Sequence, residues 1–243
     1  MLKNKAMDKE LEWIKRSWDL SAATDNRMKA VHFMINGQPL PESIYDGIYE
    51  HIQLQVGFKP QDTVLEIGAG PGLLLERIAR NVKLAIGTDI SRKILNLTPR
   101  SKNIFVQQMD AATLAFRNES FDKVVCNSVV QYLPNLGYFE QYLGEMVRVC
   151  KRDGLIFIGD LFNAYLKNLW SNDHRSLSWK SWLIGLLNRF RGRQDAEYLF
   201  VDPQQLWAWS RQLGCQDFKA HLQLSPQKPV LHRMFRYDAV IIK

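Results

Sequence analysis

The chain has 243 residues, 46% of them apolar, which suits one sizeable α/β core better than several domains. Its three cysteines (Cys126, Cys150, Cys215) lie far apart, against a disulfide framework or a thiolate zinc site. No apolar run approaches the ~20 residues of a membrane span, and residues 1–16 lack a signal-peptide core, so a reducing cytoplasm is expected. The formal charge of +7 is uneven: residues 167–193 hold six cations against Asp173, either a solvated face or a field for an anionic partner.

Taken in chain order, residues 1–58 read as an aromatic-rich helical cap carrying Trp13, Trp18, Phe33, Tyr45, Tyr49 and Phe58. From residue 59 the rhythm is that of a doubly wound sheet. Strands are expected at Thr63–Ile67, Leu84–Asp89, Ile104–Gln108, Phe121–Asn127 and Leu155–Asp160. Helices follow the first strand (Gly72–Asn81) and the fourth (Leu136–Lys151), and Ser91 is placed to cap a short helix after the second. Residues 161–200 form an insertion several times longer than an ordinary connection, read as a second part of the cap. A helix at Pro203–Leu213, stopped by Gly214, and strands at Asp217–Leu224 and Arg236–Ile242 close the chain.

The run Val64-Leu65-Glu66-Ile67-Gly68-Ala69-Gly70-Pro71-Gly72 carries most of the chemical information. A buried parallel strand ending in glycines lets a ligand lie against backbone at the next helix N-terminus. A dinucleotide fingerprint needs glycines at offsets 0, 2 and 5. Here they fall at 0, 2 and 4, and offset 5 is Leu73. The run resembles motif I of the class I S-adenosylmethionine-dependent methyltransferases. Further points lie in register with it: Asp89 ending the second strand, Asp110 in Gln108-Met109-Asp110-Ala111, the strand Phe121–Asn127, the turn Arg148–Leu155 and the ending Phe235–Lys243. The resemblance implies a seven-stranded mixed sheet in the order 3-2-1-4-5-7-6, its last strand antiparallel. It also implies S-adenosylmethionine as cofactor and S-adenosylhomocysteine as product.

By the same resemblance, Glu66 orients the motif I loop and the ligand's ammonium, and Gly68, Ala69 and Gly70 face the cofactor. Asp89, with Ile90 beside it, holds the ribose hydroxyls, where a carboxylate can accept two charge-assisted bonds from a vicinal diol. Asp110 accepts the adenine amino group, Ala111 donates its N–H to the ring, Asn127 belongs to the same set, and Trp18 in Trp18-Asp19 covers the site. The run Asn127-Ser128-Val129-Val130-Gln131-Tyr132 lacks the Asn/Asp-Pro-Pro-Tyr/Phe pattern of adenine and glutamine N-methyltransferases. It also lacks the histidine that many small-molecule relatives carry there. Asn127 is no metal-binding acid and the five histidines are scattered, so no metal is expected.

For the acceptor end the candidates are Asp160, Tyr132 and His174, each with a structural alternative: helix cap, cofactor wall and solvated surface. Trp179–Arg193 has helical apolar spacing ringed by cations. It reads as a lid over the substrate, with an anionic membrane surface or an acidic carrier protein as alternatives. The expected activity is methyl transfer to a small molecule (a natural-product, sugar or lipid intermediate), with oxygen favoured over nitrogen or carbon. That substrate is anionic or carrier-bound if the basic insertion receives it. An RNA methyltransferase and a scaffold that has lost catalysis are the alternatives; nucleic acid is disfavoured because no appended RNA-binding module is present. Oligomeric state is left open.

Overall fold

The structure, a computed structural model, describes residues 2–35, 37–167, 198–222 and 235–243. His174, the 179–193 segment and most of the expected insertion lie outside the described residues. In chain order the elements are α1 (Leu2–Ser21), α2 (Arg27–Ala30), the strand pair β1 (Met34–Ile35) and β2 (Gln38–Pro39), and α3 (Ile44–Val56). Then come β3 (Thr63–Ile67), α4 (Leu73–Ala79), β4 (Leu84–Asp89), α5 (Arg92–Leu95), β5 (Ile104–Gln108), β6 (Phe121–Asn127) and α6 (Leu136–Val149). The chain closes with β7 (Cys150–Asn163), β8 (Phe200–Val201), α7 (Pro203–Gln212), β9 (Asp217–Leu222) and β10 (Arg236–Ile242).

The main sheet runs β5-β4-β3-β6-β7-β10-β9. The first five strands are parallel, and β10 is antiparallel to both β7 and β9. Strands covered on both faces must be apolar on both, and β3 shows it: Leu65 and Ile67 pack toward α6, whereas Val64 packs toward α3 and α4. Polar caps set the helix starts. Asn135 accepts the Tyr138 N–H at 2.9 Å, and Asp202 caps a helix whose first residue is Pro203.

Three features depart from the expected layout. A two-residue strand, β8, adds an eighth member by pairing parallel to Phe162 and Asn163 of β7. The N-terminal segment is not purely helical, because β1 and β2 form a small antiparallel pair. Finally, β7 continues three residues past Asp160, since β10 pairs with Leu161 and Phe162 and so extends the ladder beyond the end of β6.

Candidate active site

The β3–α4 loop is built from glycines in the left-handed region: Gly68 at φ +74°, Gly70 at +54° and Gly72 at +76°. The three do different work. A Cβ on Gly68 would fall below 3.0 Å from Val129, and one on Gly72 would do the same with Thr98. At Gly70 it would meet only Val31 and Ile94, at 3.7 and 3.9 Å. Thus two of the glycines admit the protein's own side chains, whereas at Gly70 a Cβ would make only ordinary contacts. The loop amides are also engaged internally. Gly68 and Ala69 donate to the Thr88 carbonyl at 2.7 and 2.9 Å, and Gly70 donates to Asp89 Oδ2 at 3.1 Å. These bonds fix the loop against β4.

The acids at the strand ends are what remain for a ligand. Glu66, 4% exposed on β3, has Oε2 buried without a donor, and burial followed by the nearby Asp89 charge pushes its carboxyl well above the usual range. Asp89 is pushed up to about 6 by burial, against the N–H groups of Ser91 and Gly70 that favour its charged form. The Ser91 hydroxyl donates to Asp19 at 2.5 Å and accepts the Ile94 N–H at 3.2 Å, so the expected cap is also a latch between α1 and α5. Both acids line a cleft of about 760 Å³ beyond the carboxyl ends of the strands. Gly68, Ala69, Gly70, Ile90, Ala111, Asn127, Trp18, Tyr132 and Asp160 line it too, so most of the expected residues are brought together.

Asp110 is the exception. Met109 and Ala111 line the cleft on either side of it, while Asp110 faces a shallower depression beside Leu11 and Lys15. Its Oδ1 accepts from the Ala112 N–H at 2.8 Å and from the Tyr138 hydroxyl, which makes it a turn-forming residue. Tyr138, which bonds it, lines the main cleft together with Met109 and Ala111, so Asp110 stands at the edge of that cleft.

At the opposite end, Asp160 has a left-handed backbone (φ +67°) and so does Ser128 (φ +60°), both without glycine's freedom. The Ser128 hydroxyl donates to Asp160 Oδ2 at 2.6 Å, the Asp160 N–H donates to Asp238 Oδ1 at 2.8 Å, and Arg236 forms a buried ion pair with the Asp160 carboxylate. The other oxygen of Asp238 meets His51 Nε2 at 2.7 Å. Arg236 also stacks over Phe162, 4.1 Å from the ring centre. An aromatic wall completes this end: Tyr132 stands edge-on to Trp18 (5.3 Å) and to Tyr198 (6.1 Å). Burial, then the Tyr198 and Asp160 charges, push the Tyr132 phenol up to about 12, so it keeps its proton at neutral pH.

A family profile described as a methyltransferase domain matches residues 65–158. Residues 65–158 form a methyltransferase domain. Chondramide synthase cmdD of Chondromyces crocatus is 32% identical over 75% of this chain, and the chain spans 5% of that synthase. The phosphatidylethanolamine N-methyltransferase of Cereibacter sphaeroides is 34% identical over 41% of the chain, which spans half of that relative. Among solved structures, the methyltransferase in complex with the Haloferax volcanii Trm112 activator is 14% identical with a TM-score of 0.67, covering 93% of this chain and 96% of its own, a likeness of fold.

A methyltransferase domain implies S-adenosylmethionine as cofactor, and the residues present suit it. A buried, donorless carboxylate oxygen on Glu66 and the carboxylate of Asp89 offer charge and acceptors to a cationic nucleoside bearing a diol. Sequence reasoning missed Arg236, Asp238, His51, Ser128 and Gln131. Arg236 and Asp238 sit in an unremarkable closing strand; the antiparallel register puts Arg236 opposite Phe162 at the cleft wall, and Asp238, at the register shift, reaches the Asp160 N–H behind it. In the sequence Gln131 stands out only for not being histidine. Among the described residues no helix is long and apolar enough to cross a membrane.

Proposed function

We propose that this domain transfers a methyl group from S-adenosylmethionine to a small-molecule acceptor, a natural-product, sugar or lipid intermediate, at oxygen in preference to nitrogen or carbon. The observation that carries the reading is one cleft with two buried acids at one end, one of them (Glu66) holding an oxygen without a donor, and an apolar, aromatic wall around a buried ion pair at the other. Relatives named for phosphatidylethanolamine, ubiquinone and chondramide support an acceptor of this size and character.

When bound, S-adenosylmethionine supplies a methyl group on a sulfonium, already a strong electrophile. What the chain adds is alignment and dryness. Glu66 and Asp89 bind the nucleoside, with Gly70, Ile90 and Ala111 beside them and Asn127 at the end of β6. Residues 1–58 act as the cap, since Leu11, Ile14 and Trp18 of α1 line the cleft and exclude water. Holding an acceptor in line can supply about 7–11 kcal/mol of barrier reduction. Tyr132, a phenol at neutral pH, offers a hydrogen bond to the acceptor. Asp160, clamped by Arg236, Ser128 and the Asp238 contact, presents a fixed carboxylate there to orient or deprotonate a hydroxyl.

Two measurements test this. Titration calorimetry should show S-adenosylhomocysteine binding, and its absence at millimolar ligand would favour the inactive scaffold. Incubation of a cell extract with methyl-labelled S-adenosylmethionine should place label in low-molecular-weight products regardless of ribonuclease treatment. Label confined to RNA would overturn the reading.

A further inference from the structure

We propose that Gln131 selects the methyl acceptor, its carboxamide oxygen accepting a hydrogen bond from an O–H or N–H of a small, largely apolar molecule. The inference rests on the reading above and deepens it. Gln131 occupies the short 3-10 turn Val130–Tyr132 after β6, is 4% exposed and lines the cleft, and its Oε1 is buried with no donor. A buried carbonyl left without a donor is costly, and buried polar atoms are paired in the great majority of cases. An orphan in a cleft wall is therefore best explained by a donor that arrives with a ligand.

The turn is anchored from both sides. Two residues upstream, Val129 fills the space that the missing Cβ of Gly68 leaves, which ties the turn to the cofactor loop. The Gln131 carbonyl itself accepts the Leu199 N–H at 3.1 Å, which brings Tyr198 against Tyr132. Gln131 thus stands between the nucleoside loop and the aromatic wall, where an acceptor atom must sit to meet a methyl group. The chemistry also gives direction. When the O–H of a hydroxyl acceptor becomes O–CH3, a C–O bond forms, the methyl–sulfur bond breaks with its electron pair going to sulfur, and the proton passes to the Asp160 carboxylate. The ether then has nothing to donate to Gln131, so substrate is held more tightly than product. A carbon or thioether acceptor would leave the carboxamide unsatisfied from the start.

The probes are phenol against anisole and aniline against N,N-dimethylaniline, with binding to the S-adenosylhomocysteine-loaded protein followed by saturation-transfer NMR. Wild type should favour the donor-bearing member of each pair by about threefold to tenfold, the factor of one net hydrogen bond. In Gln131→Leu the preference should vanish while S-adenosylhomocysteine affinity stays unchanged; Gln131→Met is the second variant should the first fold poorly. Equal or absent binding of the paired fragments by the loaded wild type overturns the inference, as does a preference that survives in both variants. Failure of wild type to bind S-adenosylhomocysteine would instead sink the reading beneath it.

Discussion

The unequal roles of the loop glycines give a quantitative prediction for Gly68→Ala and Gly70→Ala. Both place a Cβ on a left-handed backbone, a cost of about 1–2 kcal/mol for an L-residue. At Gly70 little else happens, since the new methyl would meet Val31 and Ile94 at 3.7 and 3.9 Å. At Gly68 the methyl collides with Val129, and overpacking adds roughly 1–3 kcal/mol. Gly68→Ala should thus lose about 2–5 kcal/mol, a large part of a typical 5–15 kcal/mol of stability. Gly70→Ala should lose about 1–2 kcal/mol but should weaken S-adenosylhomocysteine binding more than its stability loss explains. Urea unfolding at pH 7 measures the first quantity and calorimetric titration the second. The cause is isolated by adding Val129→Ala, which should restore about 1–3 kcal/mol of the Gly68→Ala loss through a favourable coupling between touching sites. If Gly68→Ala is no less stable than Gly70→Ala, or if Val129→Ala brings no recovery, the assignment of Gly68 to internal packing is refuted.

Asp89, held near 6, gives a pH prediction. Its ionised fraction falls about tenfold between pH 7 and pH 5, so S-adenosylmethionine affinity should weaken by up to about tenfold over that window and Asp89→Asn should flatten the dependence. For the ligand-free protein the sign is opposite: a carboxyl raised above the ordinary ~3.9 stabilises the fold below about pH 4 and loses that contribution as pH climbs through 6, which urea midpoints across pH 4–7 would register. Arg236→Met strips the buried Asp160 carboxylate of its cation and should cost about 3–5 kcal/mol by urea denaturation, most of it recovered in the double variant Asp160→Leu/Arg236→Met. Asp19→Ala removes a charged acceptor from the α1–α5 latch; a loss of about 1.5–3 kcal/mol should appear as faster amide exchange in α1 and faster S-adenosylhomocysteine release in stopped flow, and unchanged exchange would show that the latch is idle.

The sheet was legible because buried parallel strands are spelled by short apolar runs, and each was punctuated by a glycine turn or an acid. Asp89 and Glu66 could be placed at the cleft because they lie at the carboxyl ends of β4 and β3, and Trp18 because of the Trp18-Asp19 pair; all three line the cleft. The glycine loop was only half legible. The sequence shows where side chains are missing, but whether a ligand or Val129 takes the space depends on a residue 61 positions later. Asp110 illustrates a different limit: it stands at the expected place in the chain, yet the bond its carboxylate accepts from the Tyr138 hydroxyl, near the start of α6, could not be read from the sequence. Arg236 and Asp238 could not be read at all. Their alignment with Asp160 is set by antiparallel pairing across more than seventy residues, with a register shift between Tyr237 and Ala239.

The placement of β10 inside the sheet, between β7 and β9, has a consequence for how the molecule is made. A chain emerging from the ribosome can pair β3, β4, β5, β6 and β7 while the guanidinium that neutralises Asp160 is still unsynthesised. Until that last ribbon threads into its slot, the nascent half-sheet carries a stranded negative charge and an open seam. The nucleoside end can mature first, and the acceptor end becomes competent only once β10 is in place.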